Sequence, residues 1–190
     1  MLRISLRRLC LCATLIVTFS GTPAARAEPP AAAEPSVRSL YELSTGRVAE
    51  HAAAAVDAVG ELVDNGLSLL GIRYRFGGNS PQSGFDCSGF VRHVFSDALG
   101  VLLPRTAVEM ARVGDTVRRD ELKPGDLVFF NTLSRAFSHV GIYLGDNKFM
   151  HANSRGGGVR VDDMNGGYWA RRFNGARRIE VDDTNVLPLR

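Results

Sequence analysis

The spacing of apolar residues changes several times along the chain. An unbroken run comes first, Leu9 to Phe19, with no polar face. From Arg47 to Leu70 the chain is alanine-rich, and Val56, Val59, Leu62, Val63 and Leu70 recur at helical spacing. Gly60 and Asn65-Gly66 are the points where that helix is expected to weaken or break. Arg73 to Gly84 is punctuated by glycine and proline and reads as a loop. Phe90, Val91, Val94, Phe95, Ala98 and Leu99 then mark a second amphipathic helix, with Asp86 as its cap and Gly100 as its stop. Leu103 to Leu122 follows no single period. Beyond Lys123-Pro124-Gly125-Asp126 the period shortens. Leu127–Asn131, Ser138–Leu144, Lys148–Asn153 and Gly158–Asp162 read as short strands, and Arg172–Val181 as one or two more. Helices followed by an antiparallel meander predict an α+β domain. Its N-terminal helices pack on a central antiparallel sheet of about five to six strands.

The first apolar run changes how the composition is read. Arg3, Arg7 and Arg8 precede it and Ala25-Arg26-Ala27 follows, the layout of a cleavable secretory signal over residues 1–27. The run is too short for a membrane span, which needs roughly 20 residues. Residues 28–46 begin Pro/Ala-rich and read as a linker, leaving 47–190 as one domain. The whole chain of 190 residues has a formal charge of +3 and three cysteines. Removing the signal takes away four arginines, leaving 19 basic and 20 acidic residues, a net charge of −1. No basic excess remains to support a nucleic-acid or anionic-membrane partner. Cys10 and Cys12 leave with the signal, and neither sits in a lipidation box. The expected product is exported to the periplasm or beyond, without a membrane anchor. It retains one cysteine, Cys87, which suits a reactive role better than a disulfide.

Cys87 follows the cap and opens the second helix, where free backbone N–H groups and the helix dipole favour a thiolate. It lies three and four residues before Phe90 and Val91, so it shares the packed face. A thiol nucleophile needs an imidazole base, and that base needs an orienting group. The strands offer His139 and His151. A two-residue turn at Asp146-Asn147 would pair Gly145 with Lys148 and put the imidazoles on opposite faces. A three-residue loop, Gly145-Asp146-Asn147, pairs Leu144 with Lys148. It sets His151 opposite Gly141, with His139 diagonally beside it at roughly 7 Å between β-carbons. The second register is the expected one. His93 falls on the polar face of its helix and is expected in solvent, and His51 is incidental. No CxxC or HxxxH spacing supports a metal site. Trp169 is expected to pack the last strands, and Phe129 and Phe130 to lie in the core. Arg105 has two readings: a bidentate ligand for a substrate carboxylate, or a structural arginine.

These residues fall within blocks that occur together in a fixed order: YRFGGNSPQSGFDCSGFV, LPRTA, LKPGDLVFF, SHVGIYLGDNKFMHA and YWARRFNGARR. In them the chain closely resembles the NlpC-type family of bacterial cell-wall endopeptidases, from about Ile72 to Arg178. The resemblance implies a papain-like fold with Cys87 as nucleophile, His139 as general base and His151 as the residue that orients it. It places Tyr74 at the border of the site, assisting the oxyanion hole, and Asp86 and Ser88 at substrate-contacting positions. It implies cleavage of peptidoglycan peptides next to D-glutamate or diaminopimelate, with no cofactor. Phe76 stands where the family more often has tryptophan. The stretch before Ile72 is too short for the SH3-like targeting domain of many relatives. The same thiol and imidazole also suit an acyltransferase or amidase, and a wall-binding module without activity is the third reading.

Overall fold

The structure, a computed structural model, describes residues 37–133 and 136–180, with side chains from residue 47 onward. The stretch expected to be an export signal, and the proline-rich part of the expected linker, lie outside the described residues. Among the described residues thirteen elements follow in chain order. Helix α1 is Val37–Ser68, β1 is Asn79–Ser80, β2 is Gly84–Phe85, and α2 is Cys87–Leu99. The one-turn α3 is Ala107–Met110, β3 is Asp115–Val117, and a 3₁₀ turn covers Arg119–Glu121. Then come β4 (Leu127–Phe130), β5 (His139–Gly145), β6 (Lys148–Asn153), β7 (Gly158–Asp163), α4 (Gly167–Ala170) and β8 (Phe173–Arg178). The domain is α+β, as the change of period predicts.

Helix α1 begins at Val37, inside the stretch expected as linker. The sequence carries no proline between Pro35 and Pro81, and Leu40-Tyr41-Glu42-Leu43 are helix-compatible residues. The helix also runs through Gly60 and Asn65-Gly66 instead of breaking there. A β-carbon on Gly66 would lie 2.5 Å from the Met150 sulfur, so the glycine lets α1 approach the sheet closely. Among the described side chains of α1, those packed in the core lie toward its C-terminus. Leu62 and Leu69 are buried, whereas Val48, Val56 and Leu70 are exposed. Helix α2 has the expected limits. Asp86 caps it by accepting from the Gly89 N–H at 2.7 Å, and Gly100 closes it in the left-handed conformation. Phe90, Val91, Val94 and Phe95 are buried beneath it. Each contributes roughly 1.5–3 kcal/mol of burial.

The main sheet has six antiparallel strands in the order β3-β8-β4-β5-β6-β7. Only β4 to β7 form a meander. Strand β8 returns across the sheet to lie between β4 and β3, and the buried Asp126 helps hold it there. Arg178 of β8 clamps the Asp126 carboxylate with two hydrogen bonds of 2.8 and 2.7 Å. Strand β3 has one buried residue, Val117, so its sequence carries no strand period. The central strand β4, Leu-Val-Phe-Phe, is buried along its whole length, because both faces of the sheet are covered. One face packs on α1 and α2 through Leu127, Phe129, Val140, Ile142, Met150 and Ala152. The other holds a smaller core with Val128, Phe130, Tyr143, Phe149, Met164 and Trp169.

The turn between β5 and β6 is the two-residue one, with Gly145 paired to Lys148 and positive φ at Asp146 and Asn147. That corrects the expected three-residue loop. The expected register nevertheless holds, because Leu144 bulges out and the next pairs are Tyr143 with Phe149 and Ile142 with Met150. The extra residue shifts the pairing by one and brings both imidazoles to the same face. Gly141 then lies against His151: an added β-carbon would sit 2.7 Å from the Met150 carbonyl oxygen and 3.1 Å from the His151 β-carbon. Gly141→Ala is therefore expected to lower stability by roughly 1–3 kcal/mol, the usual cost of overpacking. The urea midpoint checks this, and an unchanged midpoint would contradict the register.

Candidate active site

The site is assembled from the start of α2, the start of β5 and the middle of β6 and β7. Asp86 anchors the first of these. Its Oδ1 accepts from the Gly89 N–H at 2.7 Å, the Ser88 hydroxyl at 3.3 Å and Arg105 at 3.1 Å. Its Oδ2 accepts from Arg105 at 2.6 Å and the Gly77 N–H at 3.0 Å. The carboxylate thus ties the loop at Gly77, the helix start and the LPRTA segment to one another. Arg105 also donates to the Ser88 hydroxyl at 2.9 Å. Its planar fork is engaged within the protein, on a carboxylate as its geometry favours, but that carboxylate is Asp86. Phe76, one residue before Gly77, projects from this loop and is 90% exposed.

Cys87 follows Asp86 and is a free thiol. Its sulfur lies within reach of the backbone N–H groups of Val140, Ser88 and Cys87, all of which favour a thiolate. Burial outweighs them and pushes the thiol up to about 11, and the Asp86 charge adds to the rise. Tyr74 stands nearby. Its hydroxyl is raised by burial first, then by the charges of Cys87 and Asp86.

Val140 is the residue after His139, so the thiol meets β5 beside the first imidazole. By strand alternation His139 points to the face of Phe130 and Trp169, not to the face that α2 covers. It stacks on Trp169 at 5.4 Å between ring centres and is nearly buried. Its Nε2 is 2.8 Å from Nδ1 of His151, and the two rings are nearly perpendicular. With Nε2 engaged, Nδ1 is the nitrogen left on the backbone side of the ring. His151 is fully buried, stacked on Phe149 at 4.6 Å. Burial pushes His139 down to about 3, with the neighbouring His151 adding to the fall. Burial also lowers His151, against the hydrogen bond and charge of Asp162.

Asp162 is a site residue that the motif reading missed. Its Oδ2 is 3.1 Å from His151 Nε2 and accepts from the Trp169 indole N–H at 3.0 Å. Arg160 donates to its Oδ1 at 2.8 Å. Burial alone would raise this carboxyl, but the bonds from His151, Arg160 and Trp169 bring it down to about 2. In GVRVDD the valines alternate with Arg160 and Asp162. Pairing of Met150 with Val161 and His151 with Arg160 puts both charged residues on the imidazole face. The alternation was visible in the sequence, but its alignment with His151 needed the register. Trp169 packs the smaller core, as expected, and also meets both imidazoles. His93 is not in solvent. It is half-buried, its ring 5.2 Å from that of Phe85. Among the described residues no group of three or more His, Cys, Asp or Glu is placed to hold a metal ion. A cleft of about 230 Å³ between Leu102, Pro104, Gly114 and Ile179 is lined by none of Cys87, His139, His151 and Asp162.

A thiol at a helix start, packed on an antiparallel sheet that carries paired imidazoles, defines a papain-like α+β domain. The chain belongs to the NlpC/P60 family, whose model matches residues 71–178. It is 44% identical over 124 residues to a murein DD-endopeptidase/LD-carboxypeptidase, MepS of Escherichia coli K12, covering 65% of this chain and 64% of that one. It is 39% identical over 145 residues to the E. coli murein DD-endopeptidase MepH, covering 74% of this chain and 54% of the relative. The match therefore spans just under two thirds of the first relative and about half of the second. Among solved structures, an NlpC/P60 family protein from Bacillus cereus superposes with a TM-score of 0.59 at 31% identity, over 63% of this chain and 39% of that one. The peptidoglycan hydrolase RipB of Mycobacterium tuberculosis gives 0.57 at 27% identity, over 81% and 91%.

The buried groups make stability depend on pH in a defined direction. The folded values of His139 and His151 are depressed below the ordinary 6.5, so the unfolded chain takes up protons first. Stability falls as pH drops from 6.5 toward about 3. Asp162, depressed from 3.8 to about 2, extends that loss further into acid. Cys87 is raised from 9.0 to about 11, so its contribution is complete below 9 and is lost as pH rises to 11. Urea midpoints measured against pH should show a plateau between these limbs. Cys87→Ala should flatten the alkaline limb and leave the acid one. An alkaline limb unchanged in that variant would contradict the upward shift that partial burial gives the thiol.

Proposed function

We propose that the protein is an envelope cysteine endopeptidase that hydrolyses peptide bonds in peptidoglycan stem peptides or cross-links. The observation that carries this reading is the meeting of the Cys87 sulfur with the Val140 N–H, beside a His139 whose Nε2 is held by His151. The murein endopeptidase names of the two E. coli relatives supply the substrate class. The apolar run and cleavage pattern of residues 1–27 supply the route to the wall. Among the described residues no helix is long and apolar enough to cross a membrane.

In this mechanism the Cys87 proton passes to Nδ1 of His139. Each group is costly to charge alone in the buried site, but the transfer creates opposite charges side by side, and their attraction offsets the desolvation. The thiolate attacks the scissile carbonyl carbon. The Cys87 backbone N–H and the Tyr74 hydroxyl receive the oxyanion, and the loss of one such donor costs on the order of 100–1000-fold in rate. The imidazolium of His139 then protonates the leaving amine, and a thioester remains on Cys87. Water, deprotonated by His139, hydrolyses that thioester and restores the thiol. Asp86 and Ser88, fixed by Arg105, hold the helix start and line the approach to it. Arg105 also balances the Asp86 charge that opposes the thiolate.

Purified sacculi provide the test. The wild-type protein should release muropeptides, and Cys87→Ala should reduce release to background while retaining the wild-type circular dichroism spectrum. Release by a folded Cys87→Ala protein at the wild-type rate would refute the reading. Product masses increased by one water per cleavage identify hydrolysis, whereas joined fragments would identify acyl transfer.

A further inference from the structure

We propose that Asp162 is a positioning residue that fixes the tautomers of both imidazoles, so that His139 presents an unprotonated Nδ1 to Cys87. The proposal rests on the reading of Cys87 and His139 as nucleophile and base, and it adds a residue two rings away from the thiol.

The order of the hydrogen bonds leaves one consistent arrangement. The groups around the Asp162 carboxylate are the Arg160 guanidinium, the Trp169 indole and His151 Nε2. The first two can only donate, so the carboxylate is ionised and acts as an acceptor. His151 must then carry its proton on Nε2. Buried and neutral, it has one ring proton, which leaves Nδ1 as a lone pair. That lone pair faces Nε2 of His139 at 2.8 Å, so His139 must donate from Nε2. A neutral His139 therefore has no proton on Nδ1, the state a general base requires. If His151 carried its proton on Nδ1 instead, His139 would have to accept at Nε2. Its own proton would move to Nδ1, and the base would be blocked.

The geometry also explains how the carboxylate is held. Arg160 and Asp162 lie two residues apart on one face of β7, opposite His151 and Phe149 of β6. Arg160 grips Oδ1, which leaves Oδ2 for His151 and Trp169. Trp169 in turn stacks on His139, so one indole braces the carboxylate and the base together. When His139 becomes an imidazolium it keeps its Nε2–H bond to His151. Asp162 is then the nearest fixed negative charge along the chain of hydrogen bonds.

Long-range proton–nitrogen correlation spectra of the 15N-labelled protein at neutral pH test this without reference to activity. In the wild type, His139 and His151 should both be neutral with the proton on Nε2. In Asp162→Ala, His151 should lose its single tautomer and His139 should populate the Nδ1–H form. The kcat for muropeptide release should fall on the order of 10–100-fold with little change in KM, as when other partners that orient a functional histidine are removed. A wild-type His139 protonated on Nδ1 would overturn the proposal, and so would wild-type tautomers in Asp162→Ala. The wild-type spectrum decides the tautomers even if the variant does not fold. Active Cys87→Ala would refute the proposed function while leaving these spectra to stand or fall separately.

Discussion

The pairing of β5 with β6 is the constraint on which the site depends. Side chains alternate across a strand, so a shift of one residue would send His139 and His151 to opposite sides of the sheet. A tight two-residue turn favours the wrong pairing, and the bulge at Leu144 corrects it. Gly141 completes the arrangement by leaving the space that the backbone of β6 and His151 occupy. The imidazole contact, the carboxylate behind it and the indole against it all follow from that one added residue.

The surroundings of the site separate two electrostatic tasks. At the helix start, Asp86 and Arg105 form a bidentate pair whose purpose is mechanical. It fastens three segments around the thiol and nearly cancels its own charge. On the other face, burial keeps both imidazoles neutral, so a hydrogen-bonded chain from Asp162 can fix which nitrogen carries each proton. The thiol meets β5 at the Val140 N–H, next to the strand's first residue, His139, whose side chain belongs to the face of Phe130.

Much of this was legible in the sequence, and the gaps have physical causes. The cap at Asp86, the stop at Gly100 and the limits of β6 follow from local signals. Cys87 and the two histidines could be selected by chemistry alone, since the one cysteine outside the expected signal needs few partners to be informative. The bulge could not be read, because Leu144 differs from its neighbours only in how it is paired. Strand β3 was silent because three residues with one buried side chain have no period. Asp162 was hidden for a related reason: its alternation with Val159 and Val161 marks a face but does not say whose face it joins. The resemblance to the cell-wall endopeptidases located the thiol and both imidazoles but not the carboxylate behind them.

In the proposed mechanism His139, neutral at rest, takes the proton of the half-buried thiol as the thiol reacts. The alkylation rate of Cys87 by iodoacetamide as a function of pH measures it most directly. Reactivity near neutral pH should exceed that of His139→Ala by on the order of tenfold or more, because only the wild type has a base to take the proton as sulfur attacks. A single rise toward about 11, the same in the wild type and in His139→Ala, would contradict it.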